Sequence, residues 1–240
     1  MKKLLLGIMA TVICLQSPAV LRVQGNETSP VYYNDEIERI FAYRADDDQD
    51  GDKKIALTFD DGPHPRYTDE ILDILKEHDI PATFYVLGEN AEKYPDVLRR
   101  IAKEGHELGN HTYNHNISGK SGKHIAEQLR KTADFIHETT GKRPATFRPP
   151  GGLINKAVKA AAKEMDYPII LWRIDPRDWR NPPAARMFDH VSGEVKSGDV
   201  ILFHDFNVAN SQTPEAVRRL VPLLLEQKYE FVTVSELFGF

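Results

Sequence analysis

Two adjacent aspartates in the run TFDDGP, Asp60 and Asp61, and two histidines four positions apart in HTYNH, His111 and His115, are the residues of this 240-residue chain whose types and spacing point to chemistry. Two imidazoles and one carboxylate make a common three-ligand zinc set that keeps a position open for water. The histidine pair alone is a weak signal, since one core ring and one surface ring fit it equally well. A helical turn starting just after a strand would bring both rings to one side. The aspartates strengthen the reading, because two carboxylates turned into one pocket repel unless a cation or a proton offsets them. One can then ligate an ion while the other stays free to take a proton from water. Against this, Gly62 and Pro63 follow at once, and a solvated turn with two exposed acids uses the same residues.

Three further runs carry polar residues of the same kind. FRPPGG places Arg148 before two prolines that stiffen the next loop, and Gly151 offers a backbone N–H with no side chain in the way, suited to a developing oxyanion. IDPRDW brings Asp175, then Asp178 as a partner for the Arg148 guanidinium, then Trp179 as a flat apolar face on which a sugar ring can stack. ILFHD ends an apolar run on His204, a residue suited to donating a proton near neutral pH. Taken singly each has a plain structural reading: an arginine or tryptophan that packs, or a rim histidine that is hydrogen-bonded.

A repeated β-then-α order would gather these positions. Short β-branched or apolar runs predict strands at 53–59, 82–87, 106–110, 145–148, 168–174, 199–204 and 230–234. Helices are expected over 68–78, 90–104, 124–140, 155–165, 183–195 and 214–227, with a short one starting near 235. Leu72, Leu75 and Lys76, or Leu98, Ile101 and Ala102, show the i, i+3, i+4 spacing of a helix that buries one face. Seven such units in succession predict an α/β fold with a parallel sheet, closed or nearly closed into a barrel at this length. Every polar residue above follows the carboxyl end of an expected strand, and in an α/β barrel those ends meet on one rim.

Composition bounds the partners. Hydrophobic residues make up 41% of the chain and charged ones 28%, enough apolar material for a sizeable core. The net charge of −5 leaves no global basic field to hold nucleic acid. Residues 1–25 open with Lys2 and Lys3, continue with an apolar run from Leu4 to Leu15, and end in small and polar residues: the layout of a secretory leader, or of an N-terminal anchor if it is retained. That run is about 12 residues, short of the roughly 20 a spanning helix needs. The single cysteine, Cys14, lies in it, so a cleaved chain has no thiol and suits an oxidising compartment, secreted or at the cell surface. Residues 26–52 read as an acidic, solvated linker. Asp46, Asp48, Asp50 and Gly51 match the opening of a calcium loop, but position twelve falls on Leu57 where a bidentate glutamate is required, so that reading fails.

Taken together, the motifs resemble the polysaccharide deacetylase family, carbohydrate esterase family 4, also called the NodB homology domain. The match runs from about Lys53 to Phe240 and holds five motif regions in order. The resemblance implies a distorted (β/α) barrel of about seven parallel strands over 53–240, and a metal-dependent hydrolase that removes N-acetyl groups from N-acetylglucosamine residues of a cell-wall glycan, peptidoglycan or a chitin-like polymer. It implies Asp60 as general base, Asp61, His111 and His115 as ligands of one divalent ion, and Arg148 with Asp178 as the pair that orients Asp60. It further implies His204 as general acid, the Gly151 N–H as oxyanion donor, and Trp179 and Leu202 as walls of the groove or acetyl pocket. Zinc is the expected ion, with cobalt, nickel and manganese compatible with the same ligands. The expected partner is an acetylated glycan, with the protein a monomer that meets a membrane only through a retained N-terminal segment. One position departs from the family pattern: the tyrosine that often follows RPP is Gly151 here. An O-acetyl esterase acting on xylan, and a catalytically silent glycan-binding relative, are the competing readings.

Overall fold

A computed structural model of the chain describes residues 40–41, 53–206 and 209–240. The expected leader, the calcium-like run and all of 26–52 except residues 40 and 41 lie outside the described residues. In chain order the elements are β1 (Ile40–Phe41), β2 (Lys53–Asp60), α1 (Tyr67–Glu77), β3 (Thr83–Val86), α2 (Gly88–Lys93), α3 (Pro95–Lys103), β4 (Glu107–Asn110), α4 (Gly122–Thr140), α5 (Lys156–Glu164), β5 (Ile169–Ile170), α6 (Ala184–Glu194), β6 (Val200–His204), α7 (Thr213–Glu226), β7 (Tyr229–Phe231) and α8 (Val234–Phe238). Short 3-10 turns cover Pro150–Gly152 and Asp178–Arg180.

Every strand pairing is parallel. The main sheet runs β4-β3-β2-β6, β7 adds to the start of β2, and β1 pairs with β5. The regular ladders do not close on themselves. Single bridges continue them, from Asn110 to Phe147, from Phe147 to Ile169, and from Ile174 to Ile201. The result is a barrel with uneven staves, as expected from the resemblance.

Alternation along β2 explains how a polar site sits in an apolar barrel. Ile55, Leu57 and Phe59 face outward into the main core with Phe84, Ile201 and Phe203, packed against Ile71, Leu75, Leu98, Val217 and Leu220 of the helices. Thr58 and Asp60 alternate with them and so face the barrel interior. Both faces of this strand are covered, so it reads as one continuous buried run after Lys54. α4 is bounded by its own chemistry: the Ser121 hydroxyl accepts a hydrogen bond from the His124 N–H, and Gly141 ends the helix at φ 75°.

The structure differs from the expected elements at four places. The stretch 145–148 is no regular strand; it forms single bridges centred on Phe147, with Thr146 and Arg148 hydrogen-bonded to the Asn110 backbone. Ile40–Phe41, within the expected linker, forms β1 and brings the strands to seven among the described residues. The helix expected over 90–104 is two helices, broken at Tyr94 (φ −129°, ψ 58°), because the residue before Pro95 is driven out of helical geometry. Finally, 168–174 is regular only at Ile169–Ile170. Among the described residues no helix is long and apolar enough to cross a membrane.

Candidate active site

The ends of β2 and β4 bring Asp61, His111 and His115 together. Each offers one ligand atom, and the three atoms lie within 4.8 Å of one another. Asp61 Oδ1 is 3.5 Å from His111 Nε2 and 3.6 Å from His115 Nε2. The two imidazoles do not share a helical turn, as the spacing suggested. They lie on an irregular loop in which Thr112 (φ 74°) and His115 (φ 63°) are left-handed, and the Thr112 hydroxyl accepts from the His115 N–H. Thr112 itself is held by Asn110 Oδ1, and Tyr113 and Asn114 donate to Gln128 Oε1.

The donor set fits a divalent ion. Asp61 Oδ1 is buried and makes no hydrogen bond with any described residue, a costly state for a carboxylate oxygen facing two ring nitrogens unless a cation lies between them. His111 Nδ1–H donates to the Arg148 carbonyl at 2.7 Å, which leaves Nε2 with its lone pair aimed at Asp61. Burial pushes His111 below its usual pKa, toward the neutral ring that ligation requires.

Asp60 is separated from this set by a different partner. Its Oδ1 accepts from Arg148 Nη1 at 2.7 Å, and both side chains are almost fully buried. The same Nη1 donates to Thr58 Oγ1, while Nε and Nη2 donate to the carbonyls of Ile170 and Leu171. A buried guanidinium with its N–H groups occupied is a rigid orienting group for the one carboxylate it meets.

Asp178 is not part of that pair. The expectation that it partners Arg148 is corrected by its contacts: Oδ1 accepts from His204 Nδ1 and Oδ2 from the His204 N–H, both at 2.7 Å, and Thr213 adds a third donor at 2.8 Å. The reason is local. The 3-10 turn at Asp178–Arg180 packs beside the end of β6, whereas Arg148 is enclosed by β2 and the carbonyls of Ile170 and Leu171. Burial alone would lower the pKa of His204; the hydrogen bond and charge of Asp178, with the charges of Asp60 and Asp61, raise it to about 9. At neutral pH this ring carries a proton to give.

Residues 47–170 match the profile described as polysaccharide deacetylase. A peptidoglycan-N-acetylglucosamine deacetylase of Bacillus cereus is 44% identical over 191 residues, 79% of this chain and 90% of the relative. The chain belongs to the polysaccharide deacetylase family. The peptidoglycan-N-acetylmuramic acid deacetylase PdaC of Bacillus subtilis is 39% identical over 77% of this chain, which spans 38% of that longer relative. Among solved structures, the Bc1960 peptidoglycan N-acetylglucosamine deacetylase superposes with a TM-score of 0.76 at 36% identity, covering 82% of this chain and 91% of the other. A CE4 family pseudoenzyme from Bacillus anthracis superposes with a TM-score of 0.71 at 30% identity, over 78% of this chain and 65% of the other. The deacetylase fold therefore does not guarantee chemistry, and the side chains must argue it.

The remaining expected residues of this family member lie around the same end of the barrel. Trp179 is 45% exposed, with the Arg180 guanidinium 4.5 Å from its ring centroid. Gly151 is exposed at φ 61°, and a Cβ there would meet nothing within 4 Å, so the rim is open where the family often carries tyrosine. Leu202, expected as a wall of the groove or acetyl pocket, is buried; it sits two residues before His204 on the same interior face of β6. Asp175 serves its own loop, accepting from the Arg177 N–H.

Sequence reasoning missed the residues that hold these groups in place. Thr58 bridges Arg148 and the Ile201 carbonyl, Asn90 donates to the Asp61 carbonyl at 2.7 Å, and Gln128 fixes the histidine loop from α4. Only Thr58 left a signal, as a polar residue two before Asp60 in an apolar strand. Asn90 and Gln128 look like any helix polar residue until tertiary structure aims them.

Proposed function

We propose that this protein removes N-acetyl groups from N-acetylglucosamine residues of a cell-wall glycan of the peptidoglycan type, using one divalent ion held by Asp61, His111 and His115. The observation that carries the reading is the division of labour between neighbouring aspartates. Asp60 is taken by Arg148, whereas Asp61 points a buried, unpartnered oxygen at two imidazole nitrogens. A bound zinc ion would supply Lewis acidity, lowering the pKa of water and polarising the acetyl carbonyl. Asp60, oriented by Arg148, takes the proton of the attacking water. His204, protonated at neutral pH, gives its proton to the leaving amine nitrogen, so that acetate and a free amino sugar depart. The open rim at Gly151 and the exposed face of Trp179 suit sugars of an extended chain, stacked and positioned beside the reacting acetyl group.

The pseudoenzyme reading is disfavoured because every group the reaction requires is present and mutually oriented. The peptidoglycan assignment draws its support from the names of the most similar relatives. The basic and apolar layout of residues 1–25 supports action outside the cytoplasm, secreted or at the cell surface, and the protein acts as a monomer. The test is acetate release from a panel of N-acetylglucosamine oligomers, peptidoglycan strands, chitin and acetylated xylan, with mass spectrometry of the products. We expect loss of acetyl groups without chain shortening, and higher kcat/KM on longer N-acetylated chains. Turnover of acetylated xylan with every N-acetylated glycan inert makes the protein an O-acetyl esterase; cleavage of glycosidic bonds rejects both readings.

A further inference from the structure

The register of the barrel places an unexpected residue beside the proposed base. Asp60 of β2 has His204 of β6 as its partner on one side and Tyr85 of β3 on the other, and Tyr85 in turn partners Gly109 of β4. Registered partners on parallel strands face the same way, so one rung of the barrel carries the proposed acid, the proposed base, a tyrosine and a glycine in sequence. Tyr85 is fully buried, and the Arg148 Cζ lies 4.2 Å from its ring centroid.

We propose that Tyr85 is a positioning residue for the deacetylation, its ring packed against the Arg148 guanidinium so that Nη1 meets Asp60 Oδ1. The hydrogen bonds of Arg148, to Asp60, Thr58, Ile170 and Leu171, all leave in the plane of the guanidinium and fix it within that plane. They do little to stop it tilting. Two rings lie over its Cζ, Trp172 at 5.6 Å and Tyr85 at 4.2 Å, and the nearer one resists that tilt by contact and by the attraction of a desolvated cation to the π cloud. The ring is itself held. Gly109 leaves it space, since a Cβ there would lie 2.4 Å from two of its carbons. Its hydroxyl is 3.0 Å from Thr146 Oγ1, which donates to Glu107 Oε1, and Glu107 accepts from the Ser235 N–H and hydroxyl on α8. A polar column thus runs down the barrel interior from the proposed base to the C-terminal helix.

The inference rests on Asp60 acting as the base, so Asp60→Asn is measured alongside. Tyr85→Phe keeps the ring and should hold kcat within about twofold. Replacing residue 85 by 4-fluoro-, 3,4-difluoro- and 3,4,5-trifluorophenylalanine weakens the ring face stepwise with its shape nearly kept, and kcat should fall stepwise to about tenfold below the Phe variant, at constant KM, metal content and Tm. Tyr85→Met should cost about tenfold in the wild type and nothing further in an Arg148→Met background, because the two act through one contact. A flat kcat across the fluorinated series, losses that track metal content or Tm, or additive losses in the double variant overturn the role of Tyr85. Full activity in metal-loaded Asp60→Asn overturns instead the base assignment on which it rests.

Discussion

Asp178 grips His204 at two points, its Oδ1 on the ring Nδ1–H and its Oδ2 on the backbone N–H. The carboxylate therefore fixes both where the ring stands and which nitrogen is left to face the site, and with the nearby aspartates it lifts the ring pKa to about 9 against the opposing effect of burial. Activity that needs the protonated ring is then full below that value and declines as pH rises through it. Asp178→Asn removes the stabilising charge, so the alkaline limb of the kcat profile should move to lower pH, with kcat at about pH 8 down tenfold or more. An unmoved limb would assign that titration to another group.

His204→Ala should separate substrates by their leaving groups. An amine must be protonated to depart, whereas an activated phenolate leaves unaided, so the loss on an N-acetylated sugar should exceed the loss on a phenyl acetate by roughly 100-fold, the scale of general-acid catalysis. Equal losses on both would count against His204 as the acid.

The unpartnered Asp61 oxygen between two imidazoles ties activity to metal. Chelation should abolish turnover, and zinc or cobalt should restore it. His111→Ala should lower metal content as well as rate, measured by elemental analysis of dialysed protein, because it removes a ligand. Retained stoichiometric metal in that variant would place the ion elsewhere.

Asp60→Asn should keep the ion and lose roughly 100-fold or more in kcat, since the amide still accepts from Arg148 but takes no proton. Near-normal kcat in the metal-loaded variant rejects the role.

His106 is buried just before β4, with neither ring nitrogen hydrogen-bonded to any described residue, and burial lowers its pKa to about 4. Between the unfolded value of 6.5 and about 4 the unfolded chain takes up a proton that the folded chain refuses. The stability from the neutral ring is thus complete above 6.5 and is lost as pH falls to about 4, on the order of 3 kcal/mol. Asp205 works in the opposite sense: burial raises its pKa to about 7, favouring the folded state as pH falls. The effect of His106 is therefore read as a difference, wild type minus His106→Leu, in urea unfolding at several pH values. Parallel pH dependences would show that His106 does not titrate in this window.

How legible the site was depends on how each group is held. Asp60, Asp61, Arg148 and His204 each stand where a short apolar run ends in a polar residue, and a strand's end is written locally in that change of character; His111 and His115 were marked instead by their spacing. Their roles relative to one another were less visible. Asp178 looked like a partner for Arg148 because opposite charges attract at any sequence separation; burial among the carbonyls of Ile170 and Leu171 gave Arg148 other acceptors, and the packing of the 178–180 turn on β6 gave Asp178 to His204.

From the sequence alone follow the α/β order and the outward apolar faces of β2, β3 and β6, because each is set by alternation; the break before Pro95, a local limit of the residue preceding a proline, was missed in a stretch expected as one helix. The tertiary structure alone decided that Ile40–Phe41 would pair with β5, that Thr112 and His115 would turn left-handed to aim two rings at one carboxylate, and that Tyr85 would lie under Arg148. Those outcomes depend on register and on which neighbour fills a space, quantities that exist only between segments distant in the chain.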